Sequence, residues 1–369
     1  MIYPKHFIHL LKKNKIDFFT GVPDSVLKNL IPHFEKNKKK HIISANEGNA
    51  IAIAAGYHLA TKKIPCVYLQ NSGLGNAINP LVSITHPKVY SIPMLLVVGW
   101  RGSPNLKDEP QHKVKGKITK KLLTLLGIKH CVIKSKKDFK SLSRLIKICK
   151  NTSQPVACLF ENKTLLPDIK YSIKNTIKTN IPKRIDIIKN IIDNINSKTN
   201  IIATTGFTSR ELMEVRKNNK KSKGNDFYMV GGMGHSSSIS LGISLGSSKS
   251  TLCLDGDGSL LMHLGSMATV GFFAKKNFKH VLFNNNAHES VGGQKTNAKL
   301  INFEKLSKAF GYKRYFLVKN KNQLNSKMKA FIKTKGPVFL EILINQGSIK
   351  NLMRPKNLFS IKKEFMKKI

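Results

Sequence analysis

Short apolar runs rich in β-branched and aromatic residues recur along the chain, spaced so that a helix fits between each pair. In the first part they are HIISA at 41–45, CVYLQ at 66–70, MLLVVGW at 94–100 and PVACLF at 155–160. Apolar positions at helical spacing fill the intervals at 24–35, 47–61 and 136–150. Runs with no polar alternation are buried on both faces, and strands separated by helix-length segments pair in parallel. The pattern therefore predicts an α/β fold of parallel sheets covered by helices. It fades across 166–182, where polar residues and prolines predict a linker, and resumes with a helix at 183–197. Further strands are expected near 200–204, 227–231, 250–254, 279–284 and 337–344. Two domains follow, an N-terminal one over 1–165 and a C-terminal one over 183–369. The last segment, LMRPKNLFSIKKEFMKKI, is amphipathic and basic, which suits a docking helix or, less simply, a membrane-surface helix.

Composition narrows the class. With 369 residues, 41% hydrophobic and 23% charged, the chain has material for two cores and lacks the profile of a disordered or coiled-coil protein. The charge is unusual: 64 Lys and Arg against 20 Asp and Glu give +44, which by itself points to nucleic acid or an anionic membrane. The lysines, however, run from Lys12 and Lys13 through Lys38, Lys39 and Lys40 to Lys367 and Lys368, in company with abundant Ile and Asn. A chain-wide bias of that kind is what AT-rich coding produces, and solvated helix faces absorb it without a nucleic-acid partner; a basic surface for anionic substrates is the functional alternative. Five cysteines form no CxxC pair, and Cys66, Cys158 and Cys253 sit in strand-like runs, as buried free thiols of a reducing compartment do. No leader-like segment opens the chain and no apolar stretch nears the roughly 18 residues that a membrane span needs, so a cytoplasmic protein is expected.

The candidate chemistry concentrates at 251–296, which reads strand, Gly-Asp-Gly-Ser turn, helix, strand and asparagine-rich loop. In an open parallel sheet both loops fall at the carboxyl ends of strands, where ligands bind. Asp257 offers a carboxylate oxygen, Asn285 an amide oxygen and Ala287 a backbone carbonyl; hard Mg²⁺ takes such ligands and completes its shell with phosphate oxygens. Gly256 and Gly258 allow close backbone approach, and Ser259 at a helix start offers donors to an anion. One Asp-Gly turn is usually only a turn. Here two loops agree.

This arrangement resembles the metal–diphosphate motif of thiamine-diphosphate-dependent enzymes. The resemblance implies thiamine diphosphate and Mg²⁺ as cofactors and two cofactor-binding domains, one for the pyrimidine and one for the diphosphate, with no middle domain. It also implies a glutamate against the pyrimidine. Glu47, opening the small-residue helix of HIISANEGNAIAIAAGYHLAT, matches it; alone it could be a first-turn glutamate favoured by the helix dipole. The segment FYMVGGMGHSSSISLGISLG resembles the ring-supporting turn of the family, with Met233 between the rings and the Gly231 carbonyl on the amino group. Thr204, Thr205 and Gly206 match further diphosphate contacts.

Within the family the similarity is to the phosphonopyruvate decarboxylases, through GVPDSVLKNL, QNSGLGNAINPL, IPMLLVVGWRG, DEPQH, TTGFTSREL and NNNAHESVGGQKT. It implies decarboxylation of 3-phosphonopyruvate to phosphonoacetaldehyde in phosphonate biosynthesis, by an assembly of at least two chains. Arg101 suits the substrate's second anion as a planar donor, or is a surface arginine. His112 is an anion donor, a proton relay or a structural residue. Asp24 would shuttle a proton or serve as an N-cap, with Ser25 beside it. His288 and Ser290 are further candidates next to the metal loop. Relatives often carry glycine where this chain has Asn286, so a positive φ is expected there. Sulfopyruvate is the rival substrate. A relative that has lost catalysis and kept anion or nucleic-acid binding is the rival of another class.

Overall fold

The computed structural model describes residues 1–36, 38–104, 106–167, 179–218 and 224–369. The chain divides into two compact units, Met1–Ile173 and Lys174–Ile369. Most of the linker expected at 166–182 falls on 168–178, outside the described residues.

The first unit runs α1 (Pro4–Lys13), β1 (Phe19–Gly21), α2 (Ile31–Glu35), β2 (His41–Ile43), α3 (Glu47–Thr61), β3 (Cys66–Gln70), α4 (Leu74–Pro80), β4 (Leu95–Trp100), α5 (Pro110–Leu125), β5 (Lys129–Ile133), α6 (Phe139–Thr152) and β6 (Val156–Glu161). Its six strands are all parallel, in the order β2-β1-β3-β4-β6-β5. Alternation decides how the core forms. Tyr68, Leu95, Val97, Cys158 and Phe160 feed one apolar cluster, while Val67, Leu69, Leu96, Val98 and Leu159, their neighbours in sequence, feed the cluster on the other face. That is why these strands read as unbroken apolar runs.

One expected element is corrected. The helix expected over 24–35 is a turn through 25–30, with helix only at 31–35. Pro32 explains this: it lacks an N–H, and its ring would collide with the carbonyl four residues back, so a continuous helix cannot pass through it.

The second unit runs α7 (Arg184–Asn194), β7 (Asn200–Ala203), α8 (Phe207–Asn218), β8 (Asn225–Tyr228), α9 (Ser236–Gly246), β9 (Thr251–Gly256), α10 (Asp257–Met262), α11 (Ser266–Phe273) and β10 (Phe278–Asn284). A short antiparallel hairpin of β11 (Ala287–His288) and β12 (Gln294–Lys295) follows, then α12 (Phe303–Ala309), β13 (Arg314–Val318), α13 (Lys321–Lys333), β14 (Val338–Leu343) and α14 (Leu358–Lys368). The main sheet is again six parallel strands, ordered β13-β14-β10-β9-β7-β8. The carboxyl ends of β7, β9 and β10 therefore lie side by side, and the loops after them converge. The expected C-terminal helix docks on the edge strand β8: Phe365 is buried with its ring 5.5 Å from that of Phe227, and Lys368 Nζ donates to the Gly224 carbonyl at 3.1 Å.

Candidate active-site halves

In the first unit, Glu47 is the first residue of α3, behind Asn46, whose side chain caps the helix by accepting the Asn49 N–H at 2.9 Å. A first-turn glutamate normally faces water; Glu47 is only 4% exposed. Its carboxylate accepts the Asn76 side-chain amide at 2.8 Å and lies against Gly73, where a β-carbon would stand 2.1 Å from Oε1. A side chain at residue 73 would displace it.

Asp24 and Ser25 follow β1. Asp24 is fully buried: Oδ2 accepts the N–H groups of Val26 and Leu27, both at 3.0 Å, and Oδ1 has no hydrogen-bond partner among the described residues. One oxygen thus caps the turn, and the other is uncommitted among the described residues. Burial lifts its carboxyl to about 6, partly offset by those N–H groups and by the Arg101 charge.

Arg101 ends β4. Its guanidinium grips Asp108 through Nε, at 2.7 Å from Oδ2, and through a terminal nitrogen; the other terminal nitrogen donates to Ser25 Oγ at 3.0 Å. Burial would raise the Asp108 carboxyl, yet the Arg101 hydrogen bonds and the Gly102 and Glu109 N–H groups hold it well below the ordinary range. The fork is therefore spent on Asp108, and the edge facing Ser25 is what remains for a ligand. Asn71 fixes the Arg101 backbone from both sides, accepting its N–H at 3.1 Å and donating to its carbonyl at 2.9 Å. His112, half-buried in the first turn of α5, packs its backbone against Gly102.

In the second unit, the carboxyl end of β9 and the start of α10 bring two aspartates into different surroundings. Asp255 faces the core, 3.7 Å from His280 Nε2. Asp257, just beyond the strand, is 2% exposed; it accepts the Thr296 hydroxyl at 2.5 Å, and the backbone N–H groups of Gly258 and Asn285 favour its charged form. Burial pushes its carboxyl up to about 6, and these donors offset only part of that. A buried carboxylate with no basic side chain among its partners in the described residues is the donor chemistry that suits a hard cation. The loop after β10 delivers that Asn285 N–H, while Asn285 Oδ1 accepts the Ala287 N–H at 3.0 Å. Asn286 has φ +55°, the left-handed conformation expected of it.

Anion donors lie beside this loop. Ser259 Oγ is 2.9 Å from Thr204 Oγ1 and accepts the Gly234 N–H at 3.1 Å. Gly206, at φ +97°, faces Ser290, whose Oγ is 3.1 Å from a β-carbon built there. Thr205 follows β7, and Gly256 caps α10. Gly231 and Met233, both half-buried, lie in the turn between β8 and α9. His288 presses on Gly258; its Nδ1 has no hydrogen-bond partner among the described residues, and burial drives its imidazole down to about 4. It is neutral at pH 7. The structure thus gathers Thr204, Gly206, Gly258, Ser259, Asp257, Asn285, Ala287 and His288 in one unit. Glu47 lies in the other, as does the group of Asp24, Ser25 and Arg101. Gly73, Asn76, Asp108 and Thr296 carry weight that spacing alone does not announce: each lies inside a motif segment, yet only contact distances reveal its role.

Two family models match the chain. "Thiamine pyrophosphate enzyme, N-terminal TPP binding domain" covers residues 2–122, and "Thiamine pyrophosphate enzyme, C-terminal TPP binding domain" covers 204–342. The chain is 32% identical to the phosphonopyruvate decarboxylase of Streptomyces viridochromogenes over 91% of its own length and 87% of the relative's. It is 27% identical to the sulfopyruvate decarboxylase of Methanosarcina acetivorans, over 92% and 91%. A shorter match, 44% identical over 35% of this chain and 67% of the relative, is to the sulfopyruvate decarboxylase subunit beta of Methanocaldococcus jannaschii.

Proposed function

The chain belongs to the thiamine pyrophosphate enzymes and is a decarboxylase, and from that premise we propose that it converts 3-phosphonopyruvate to phosphonoacetaldehyde and carbon dioxide with Mg²⁺ at its diphosphate site. Support for the metal comes from one observation above others: Asp257, buried with no basic side chain among its partners in the described residues, lies beside the backbone of the loop that carries Asn285. Asp257, Asn285 Oδ1 and the Ala287 carbonyl would hold the cation. Thr204, Thr205, Gly206, Gly256, Gly258 and Ser259 would hold the diphosphate, and Gly231 and Met233 the rings. When bound, thiamine diphosphate supplies an electron sink for the pair released with carbon dioxide.

The remaining steps fall to side chains. Glu47, kept from water and steadied by Asn76, would hold a proton at a ring nitrogen of the pyrimidine. Asp24 and His112 would move protons on the substrate; the Asp24 Oδ1, without a hydrogen-bond partner among the described residues, supports this. Ser25, Arg101 and His288 would recognise the substrate's second anion. Because the Arg101 fork is occupied by Asp108, Arg101 would act through its Ser25-facing edge.

The likeness to phosphonopyruvate decarboxylase across most of both chains supports the phosphonate substrate, and a place in phosphonate biosynthesis, of the 2-aminoethylphosphonate type, is proposed with it. The sulfopyruvate decarboxylase match over 92% of the chain favours a second reading, with a sulfonate in the same position. A homodimer or larger homo-oligomer is proposed on the family likeness. A cytoplasmic location fits five free cysteines and the lack, among the described residues, of a helix long and apolar enough to cross a membrane. Product identification after incubation with thiamine diphosphate, Mg²⁺ and each oxo acid tests the proposal. Phosphonoacetaldehyde should form, with kcat/KM higher on phosphonopyruvate than on sulfopyruvate; the reverse order would assign the sulfonate.

A further inference from the structure

Behind the loop that carries Asn285 lies a buried charge cluster to which none of the roles above is assigned. Arg184, the first residue of α7, is 4% exposed. One terminal nitrogen of its guanidinium hydrogen-bonds Glu289 Oε2, and the other lies 3.8 Å from Glu211 Oε2. The same Glu289 Oε2 accepts the Asn285 side-chain amide at 2.9 Å, and Glu289 Oε1 accepts the Gly347 N–H. Buried ion pairs of this kind add little stability over apolar packing. What they can fix is geometry.

An asparagine amide has a donor end and an acceptor end of nearly equal size, and a cation accepts only the oxygen. In Asn285 the nitrogen is committed to Glu289, which as a carboxylate can only accept, while the oxygen accepts the Ala287 N–H at 3.0 Å. A flipped amide would set NH₂ against N–H and oxygen against carboxylate. We propose that Glu289, anchored by Arg184, is a positioning residue that locks the Asn285 oxygen toward the cation, so that divalent-ion affinity depends on a carboxylate that never touches the ion. This rests on Asn285 being a cation ligand. The neighbouring asparagine is built alike: Asn284 donates to Glu341 at 2.7 Å, Glu341 accepts the Tyr315 hydroxyl at 2.5 Å, and Asn284 Oδ1 accepts the Asn286 N–H at 3.2 Å. Each amide is aimed from behind by a carboxylate.

The test is Mn²⁺ binding followed by electron paramagnetic resonance in the presence of thiamine diphosphate. It compares wild type, Glu289→Gln, Asn285→Ala, the double variant and Asp257→Ala. Glutamine has one acceptor oxygen for three donors, those of Arg184, Asn285 and Gly347, so Glu289→Gln should bind Mn²⁺ roughly 10- to 100-fold more weakly. In the Asn285→Ala background the same change should add less than about twofold, which a merely structural role would not produce. Wild-type binding by Glu289→Gln alongside loss in Asp257→Ala overturns the positioning role and leaves the site intact. Additive losses in the double variant overturn it as well. Unchanged binding in Asp257→Ala would remove the cation site and this inference together. Should Glu289→Gln fail to fold, Arg184→Lys keeps the charge and loses the fork; weaker Mn²⁺ binding supports the anchor, and wild-type affinity overturns it.

Discussion

The carboxylate of Glu47 occupies the space that a side chain at Gly73 would fill, with 2.1 Å between Oε1 and a β-carbon placed there. Gly73→Ala should therefore act as a Glu47 variant at a distance. Thiamine diphosphate and Mn²⁺ should still bind, and decarboxylation should fall by about 10²-fold or more, comparably to Glu47→Gln. Single-turnover kinetics on cofactor-saturated protein checks this, and near-normal turnover in Gly73→Ala would free Glu47 of its role.

Thr296 is the side-chain partner of the Asp257 carboxylate. Thr296→Val keeps the volume and deletes the donor, which should lower Mg²⁺ affinity roughly 10- to 100-fold. Calorimetric titration of Mg²⁺ into protein with thiamine diphosphate measures it.

Asp24 sets a pH dependence. Burial raises its carboxyl from 3.8 to about 6, so the folded protein keeps a proton that the unfolded chain releases. Its contribution to stability is full below about pH 4 and is lost as pH rises through 6. Asp24→Asn should match wild type in melting near pH 4 and exceed it at pH 8, by up to about 3 kcal/mol. Melting curves that stay parallel from pH 4 to pH 8 would contradict this.

Arg101→Lys keeps a charge but neither the two-point grip on Asp108 nor the bond to Ser25. KM for phosphonopyruvate should rise about 10- to 100-fold, with kcat less affected. A fall in kcat at unchanged KM would shift Arg101 from substrate binding to the chemical step.

Asn286 bears a left-handed backbone, which asparagine tolerates and alanine does not. Asn286→Gly should melt like wild type, whereas Asn286→Ala should lose on the order of 1 kcal/mol. Chemical denaturation distinguishes them.

Much of the architecture could be read from apolar runs because eight of the twelve main-sheet strands are inner strands. The strands outside the expected runs are β1, an inner strand of only three residues, and the edges β5 and β13, which Lys129 and Arg314 open exposed. The site divides in the same way. Asp257, Asn285 and Glu47 stand in recognisable contexts, whereas Thr296 and Glu289 reach them across folded loops, at distances no spacing rule supplies. Arg101 was legible as a candidate anion donor or a surface arginine, but not as a half-buried one already paired, since Asp108 is brought to it by the turn of its loop.

The C-terminal helix has a consequence for handling this protein. Among the described residues β8 pairs only with β7 within its sheet, which leaves its other backbone edge a template for strands from other molecules, and α14 packs against it through Phe365. Trimming that helix would uncover Phe227 beside the open edge. Preparations shortened there would be expected to aggregate before they lost either core.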